Sequence, residues 1–227
     1  MNNIAVILGA GSGTRMKSKT SKLLLEISGK TVIERAVEAF ESAGCFNKIL
    51  LVCRKQDVNE YRSMFSGKNI QFVIGGETRQ KSVKNALRAI DEADYVAVHD
   101  GARPLIKKER IISALEEAKK CGAAAVGVKV KDTVKIIDKN GFVISTPERS
   151  SLFAVQTPQI FDFKLFKSAF EKAENDGKDF TDDCQIVEYI GGKVKMLEGD
   201  YTNIKITTPD DIPLAESIIG AEKGVLK

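Results

Sequence analysis

Ile4-Ala5-Val6-Ile7-Leu8-Gly9-Ala10-Gly11-Ser12-Gly13-Thr14-Arg15-Met16 is the stretch from which the fold is read. Its first five residues form a continuous apolar run bounded by glycine, the pattern of a strand buried on both faces. Three glycines then alternate with small residues. The backbone can turn sharply there and offer N–H groups to a ligand that approaches closely. Arg15 and Lys22 add two cations beside those donors. A strand running into such a turn suits polyphosphate. The spacing is not the P-loop, because no G-x-x-x-x-G-K-[ST] occurs in the chain. Nor is it the dinucleotide fingerprint: frames starting at Gly11 and Gly9 meet Met16 and Thr14 where a third glycine is required. An ordinary Gly-rich strand-to-helix turn with surface cations is the plainer reading of this loop alone.

Downstream, strands and helices alternate. Thr31 with Glu34 makes a capping box, and Val32, Ile33, Ala36, Val37 and Phe40 follow at helical spacing up to Gly44. Lys48–Cys53, Ile70–Ile74, Tyr95–Val98 and Ala123–Val130 read as further strands, with helices around Val58–Phe65, Val83–Ile90 and Ile111–Ala118 between them. This rhythm predicts an α/β fold with one doubly wound, mostly parallel sheet. Ligands of such sheets bind beyond the C-terminal strand ends. The first glycine loop, the Gly75-Gly76 turn and the segment after Val98 would collect on that edge.

The rhythm breaks after Val130. Thr133–Ile137 and Phe142–Ser145 flank an Asn140-Gly141 turn and read as a hairpin. An isolated two-stranded hairpin is marginal, so this arm, at about 132–149, needs a surface to lie on. A second copy of the chain is the favoured surface. Further on are a helix from Phe163, a Thr181-capped helix through Tyr189, an extended Asn203–Ile206 and a final helix opened by Thr208 and Pro209.

Composition limits the possibilities. At 227 residues the chain reads as one domain, residues 1–227. Its net charge of +4, without long basic runs, argues against nucleic acid and suits capture of a small anion. Cys45, Cys53, Cys121 and Cys184 lie far apart with no C-x-x-C pair, as in a reduced, cytoplasmic protein. No apolar run is long enough to cross a bilayer, and no signal-peptide pattern is expected.

A second chemical stretch is His99-Asp100-Gly101-Ala102-Arg103-Pro104. A carboxylate at a strand end, with an arginine three residues on, can hold a metal or a sugar hydroxyl; equally, Asp100 and Arg103 can pair with each other. His99, the only histidine, reads as structural. No nucleophile triad assembles around it. Arg149, Thr157-Pro158-Gln159, Thr181-Asp182-Asp183 and Asn203–Thr207 each have a plain reading as turn, cap or short strand.

Taken together and in this order, these stretches resemble the 2-C-methyl-D-erythritol 4-phosphate cytidylyltransferase family of non-mevalonate isoprenoid synthesis. The resemblance runs over essentially the whole chain. It departs at Leu8, where the family has a small residue. It departs again at Ser21-Lys22-Leu23-Leu24, where the family reads Pro-Lys-Gln-aromatic but shares the lysine. The resemblance implies a Rossmann-like nucleotidyltransferase that transfers CMP from CTP to a polyol phosphate, with Mg2+ or another divalent cation. It implies that Ala10, Gly11, Gly13, Gly76 and Ser82 hold the nucleotide. Arg15 and Lys22 would stabilise charge at the α-phosphate, and Arg149 and Lys205 would position the acceptor phosphate. Asp100, Arg103, Thr133, Thr157 and Thr181 would read the acceptor, with Asp100 also a candidate metal ligand. It further implies a homodimer through the arm, with Arg149 and Thr133 acting on the partner's cleft. A ribitol 5-phosphate cytidylyltransferase is the nearest alternative. From another class, a dinucleotide-dependent oxidoreductase is disfavoured by the missing third glycine.

Overall fold

The computed structural model describes residues 1–11, 21–222 and 224. The chain opens with β1 (Asn3–Leu8), the short pair β2 (Glu26–Ile27) and β3 (Lys30–Thr31), and α1 (Val32–Ala43). There follow β4 (Lys48–Cys53), α2 (Val58–Met64), β5 (Ile70–Ile74), α3 (Arg79–Arg88), β6 (Tyr95–Asp100), α4 (Lys108–Cys121) and β7 (Ala123–Lys129). The arm carries β8 (Ile136–Ile137) and β9 (Val143–Ser145). The chain ends with β10 (Phe153–Asp162), α5 (Phe163–Asn175), α6 (Asp183–Tyr189), β11 (Lys195–Glu198) and α7 (Asp211–Glu222).

Seven strands form one sheet in the order β11-β7-β10-β6-β1-β4-β5. β1 is central and runs parallel to β4 and β6; β10 alone is antiparallel to its neighbours β6 and β7. The apolar runs divide by parity, because successive strand side chains point to opposite faces. Ala5, Ile7, Ile49, Leu51 and Cys53 pack into one core, with α1 and α4. Ile4, Val6, Leu50 and Val52 pack into the other, with α3 and α5. Both faces of the inner strands are thus covered, which is why they carry no polar alternation.

Local signals account for most boundaries. Thr31 accepts from Glu34 N–H while the Glu34 carboxylate takes the Thr31 N–H, and Gly44 closes α1 at φ +64°. Three details differ from expectation. Asp182, not Thr181, caps α6, because its carboxylate accepts from Gln185 N–H; Thr181 instead binds the Gln185 side chain. Regular helix in α7 begins at Asp211, whose carboxylate accepts the N–H groups of Thr207 and Thr208. The hairpin turn takes three residues, Lys139, Asn140 and Gly141, inside the Asp138 N–H to Phe142 carbonyl bond. Gly141 sits at φ +86°, where a side chain would be strained.

The winding sets the site. From β1 the chain moves outward to β4 and β5, then returns to β6 on the other side of β1. The chain thus leaves β1 toward β4 and leaves β6 toward β7, so the strand order reverses between these two neighbours. Ligands of such sheets bind in the crevice beyond the C-terminal strand ends at that point. Leu8 and Asp100 are paired residues at that edge.

Candidate active site

Two glycine turns shape one wall of the crevice. Gly9 N–H donates to Val52 carbonyl at 2.6 Å, and Gly75 N–H to Cys53 carbonyl at 2.9 Å, so both loops hang from the end of β4. A Cβ on Gly75 would overlap the Ala10 side chain, so glycine lets the two turns pack together. Gly76 N–H donates to Ser82 Oγ at 3.0 Å, and Thr78 caps α3 by accepting from Lys81 N–H. The resulting cleft holds about 530 Å³. Ala10, Gly11, Lys22, Gly76, Ser82, Asp100 and Lys205 line it, together with Glu77, Thr78, Arg79 and Thr207.

Its floor is a cluster of charge. Lys205 Nζ donates to Asp100 Oδ2 at 2.6 Å, Arg79 Nε reaches Oδ1 at 3.4 Å, and Arg103 Nε lies 3.9 Å from Oδ2. Burial alone would favour the neutral acid, but Arg79, Lys205 and Arg103 outweigh it and hold the Asp100 carboxyl well below the usual range. Arg79 also donates to Asp183 Oδ2 at 2.6 Å. Asp183 is fully buried, and burial pushes its carboxyl upward against the pull of Arg79. Lys22 Nζ donates to Ile206 carbonyl at 2.6 Å, which brings the loop cation to the floor.

The floor is fastened from behind. A register shift in β10 between Val155 and Gln159 re-aims the side chains there. Thr157 Oγ1 accepts from Asp100 N–H and meets His99 Nδ1, both at 3.0 Å. Asn203 donates to Thr157 carbonyl, and its own carbonyl accepts from Arg103. Ile206 N–H reaches Ala102 carbonyl at 2.8 Å. The turn after β6 and the Asn203–Thr207 segment are thus one unit, which is how Lys205 comes to face Asp100.

Of the residues singled out by sequence, seven line this cleft: Ala10, Gly11, Lys22, Gly76, Ser82, Asp100 and Lys205. Arg103 stands beside Asp100. Thr157 is buried behind it, with its hydroxyl committed to His99 and the Asp100 backbone. Thr181 is exposed on the turn before α6. Thr133 and Arg149 belong to the exposed arm and do not line the cleft; Arg149 donates to Lys131 carbonyl. Gly13 and Arg15 lie outside the described residues. Sequence reading missed Arg79 and Asp183 as a pair. The available hint was an arginine opening the helix after the Gly75-Gly76 turn.

The family model for 2-C-methyl-D-erythritol 4-phosphate cytidylyltransferase matches residues 3–221. This chain belongs to that family. The protein of that name from Caldanaerobacter subterraneus subsp. tengcongensis is 44% identical over 222 residues, covering 95% of this chain and 98% of the relative. The one from Bacillus licheniformis is 43% identical over 227 residues, 98% of each. Among solved structures, the 4-diphosphocytidyl-2C-methyl-D-erythritol synthase of Anaerococcus prevotii superposes with a TM-score of 0.87. It shares 35% identity and covers 96% of this chain and 98% of that one. The Thermus thermophilus cytidylyltransferase gives a TM-score of 0.80 at 31% identity, covering 96% of this chain and 98% of its own. Membership makes the chain a cytidylyltransferase and sets the oxidoreductase reading aside. These relatives carry the methylerythritol name rather than a pentitol one. For a cytidylyltransferase, which handles a triphosphate, a cleft bordered by Lys22, Arg79, Arg103 and Lys205 is apt.

Proposed function

We propose that the cleft binds CTP and 2-C-methyl-D-erythritol 4-phosphate and joins them. The products are 4-diphosphocytidyl-2-C-methyl-D-erythritol and pyrophosphate. The observation that carries this reading is the arrangement of Lys22, Arg79, Arg103 and Lys205 around the crevice between β1 and β6.

The reaction asks little acid–base chemistry of the protein. An oxygen of the acceptor phosphate, already anionic, attacks the α-phosphorus of CTP in line. A new P–O bond forms, the bond from the α-phosphorus to the bridging oxygen breaks, and pyrophosphate departs with that electron pair. Catalysis then reduces to positioning and charge stabilisation. Ala10, Gly11, Gly13, Gly76 and Ser82 seat the nucleotide, chiefly through backbone groups. Arg15 and Lys22 neutralise charge developing at the α-phosphate. Lys205 orients the acceptor phosphate with Arg149. Asp100 and Arg103 meet the acceptor hydroxyls, while Thr157 fixes Asp100 from behind. Thr133 and Thr181 complete the acceptor side.

Magnesium fits as an ion carried in on the triphosphate. Among the described residues no three acidic, histidine or cysteine side chains form a metal-holding group. Asp100 is a hard oxygen donor on the cleft floor, and magnesium commonly takes one carboxylate plus substrate phosphates. Its chemistry there would be neutralisation of phosphate charge.

The arm supports a homodimer. Ile136, Ile137, Phe142, Val143 and Ile144 are 48 to 72% exposed on it. An apolar patch of that kind marks an interaction surface. A second copy covering it would bring Arg149 and Thr133 toward the partner's cleft. The four free cysteines agree with a reducing, cytoplasmic setting. Among the described residues no helix is long and apolar enough to cross a membrane.

The test is pyrophosphate release, measured with each of four nucleoside triphosphates against methylerythritol phosphate and ribitol 5-phosphate. Release confined to CTP with the methylerythritol substrate is expected. Faster turnover of ribitol 5-phosphate would overturn the assignment.

A further inference from the structure

We propose that Arg79 is a positioning residue of this transfer: it holds Asp100 from the nucleotide wall, so that Lys205 can leave Asp100 for the acceptor phosphate. The inference rests on the proposed reaction and adds a residue to it.

Three cations face two carboxylates on the cleft floor. Lys205 and Arg79 hold opposite oxygens of Asp100, at 2.6 and 3.4 Å. Arg79 is anchored at its far end by Asp183, which is fully buried and meets no other cation among the described residues. The guanidinium therefore stays on the floor whether or not ligand is present. Lys205 is different. Its side chain is 39% exposed, the most open of the three cations, and among the described residues its ammonium pairs with Asp100 alone. A phosphate dianion entering beside it attracts the ammonium more strongly than a single carboxylate does. Asp100 can release Lys205 only if its own charge remains neutralised. Arg79 and Arg103 supply that neutralisation.

The position of Arg79 adds a link to the nucleotide. It is the first residue of α3, directly after Gly76, Glu77 and Thr78 of the cleft wall. Its neighbour Gln80 binds Lys178 carbonyl and accepts from Phe180 N–H, tying the same helix end to the segment that leads into Thr181. One helical turn thus joins the nucleotide wall to the acceptor side. The bland alternative is that Arg79 merely neutralises Asp183.

The test separates the two roles. Arg79→Gln with Asp183→Asn removes the buried pair of charges together and leaves two amides that can bond to each other. In the folded double variant, Asp100 keeps only Lys205 and Arg103. The KM for the acceptor phosphate is then expected to rise tenfold or more, while the KM for CTP moves less than threefold. An unchanged acceptor KM, or an equal rise in both constants, would overturn the proposal. If the double variant does not fold, Arg79→Lys decides by the same split. Its single ammonium is drawn to the buried Asp183 and leaves Asp100, so the acceptor KM alone should rise; no rise overturns the proposal. A wild-type chain that releases no pyrophosphate overturns the reaction reading and this inference with it. An active wild type with unsplit variants overturns the inference alone.

Discussion

His99 Nδ1 and Thr157 Oγ1 stand 3.0 Å apart, and the direction of their bond is fixed by the neighbours of each. His99 Nε2 lies 3.1 Å from Arg103 carbonyl, which can only accept, so Nε2 carries the proton. In the neutral ring Nδ1 is then bare and accepts the Thr157 hydroxyl. That hydroxyl oxygen in turn accepts Asp100 N–H at 3.0 Å. Asp100 and Arg103, three residues apart, are locked through a histidine and a threonine that no ligand needs to touch.

A pH dependence of stability follows. Burial lowers the His99 pKa from 6.5 to about 4, against the weaker pull of the Arg103 carbonyl and Asp100. The unfolded chain binds a proton near pH 6.5 that the folded chain resists until about pH 4. The stabilisation is therefore complete above pH 6.5 and is lost as pH falls through that window. At ~1.4 kcal/mol per pKa unit it amounts to about 2–3 kcal/mol between pH 7 and 4.5. Denaturant unfolding of wild type and His99→Gln at both pH values checks it. The wild type should lose more stability by that margin, and parallel losses would rule the relay out.

How much of this was legible beforehand depends on sequence distance. The strands could be read because burial on both faces writes continuous apolar runs, as in Ile4–Leu8 and Lys48–Cys53. The Thr31–Glu34 box and Gly44 were legible because capping is decided within three residues. Thr181 was mistaken for the cap of α6 because Asp182, adjacent and equally able, competes for the same N–H. The cleft floor was only partly visible. The contact of Arg79 with Asp183 spans 104 positions and that of Lys22 with Ile206 spans 184. Such pairs exist only once the winding brings β1, β6 and the Asn203–Thr207 segment to one edge. The loop and the Asp100–Arg103 turn were recognisable as chemistry, but their partners were set by topology.

Lys22→Ala tests the charge-stabilising role. Loss of one preorganised donor at a developing charge typically costs ~3–4 kcal/mol of barrier, about a hundred- to thousandfold in kcat. The substitution also removes the Nζ bond to Ile206 carbonyl, so thermal unfolding must be followed beside turnover. A folded variant with kcat within tenfold of wild type would show that Lys22 binds without stabilising the transition state.

Phe142→Asp and Ile144→Asp test the arm. Both side chains are largely exposed in one chain, at 72 and 65%, so in a monomer each change should alter stability by less than ~0.5 kcal/mol. In a dimer they place a carboxylate in an apolar interface. Sedimentation should show dissociation of the variant pair at concentrations where wild type is dimeric. A dimer that persists would locate the interface elsewhere.

Site sharing is tested by mixing. Arg149 sits on the arm, with its guanidinium on Lys131 carbonyl, whereas Lys22 lines the cleft. If Arg149 serves the partner's cleft, Arg149→Ala and Lys22→Ala chains should each be nearly inactive alone. Unfolding and refolding them together gives mixed dimers in which one cleft pairs the intact Lys22 of the first chain with the intact Arg149 of the second. The other cleft lacks both. Random assembly makes about half the dimers mixed, so about a quarter of wild-type activity should return. If Arg149 instead reaches the cleft of its own chain, every cleft in the mixture lacks one residue and activity stays at the level of the parents. Tagged chains, purified as the mixed species, remove any doubt that exchange took place. Recovery then reports which subunit supplies the arm to which cleft.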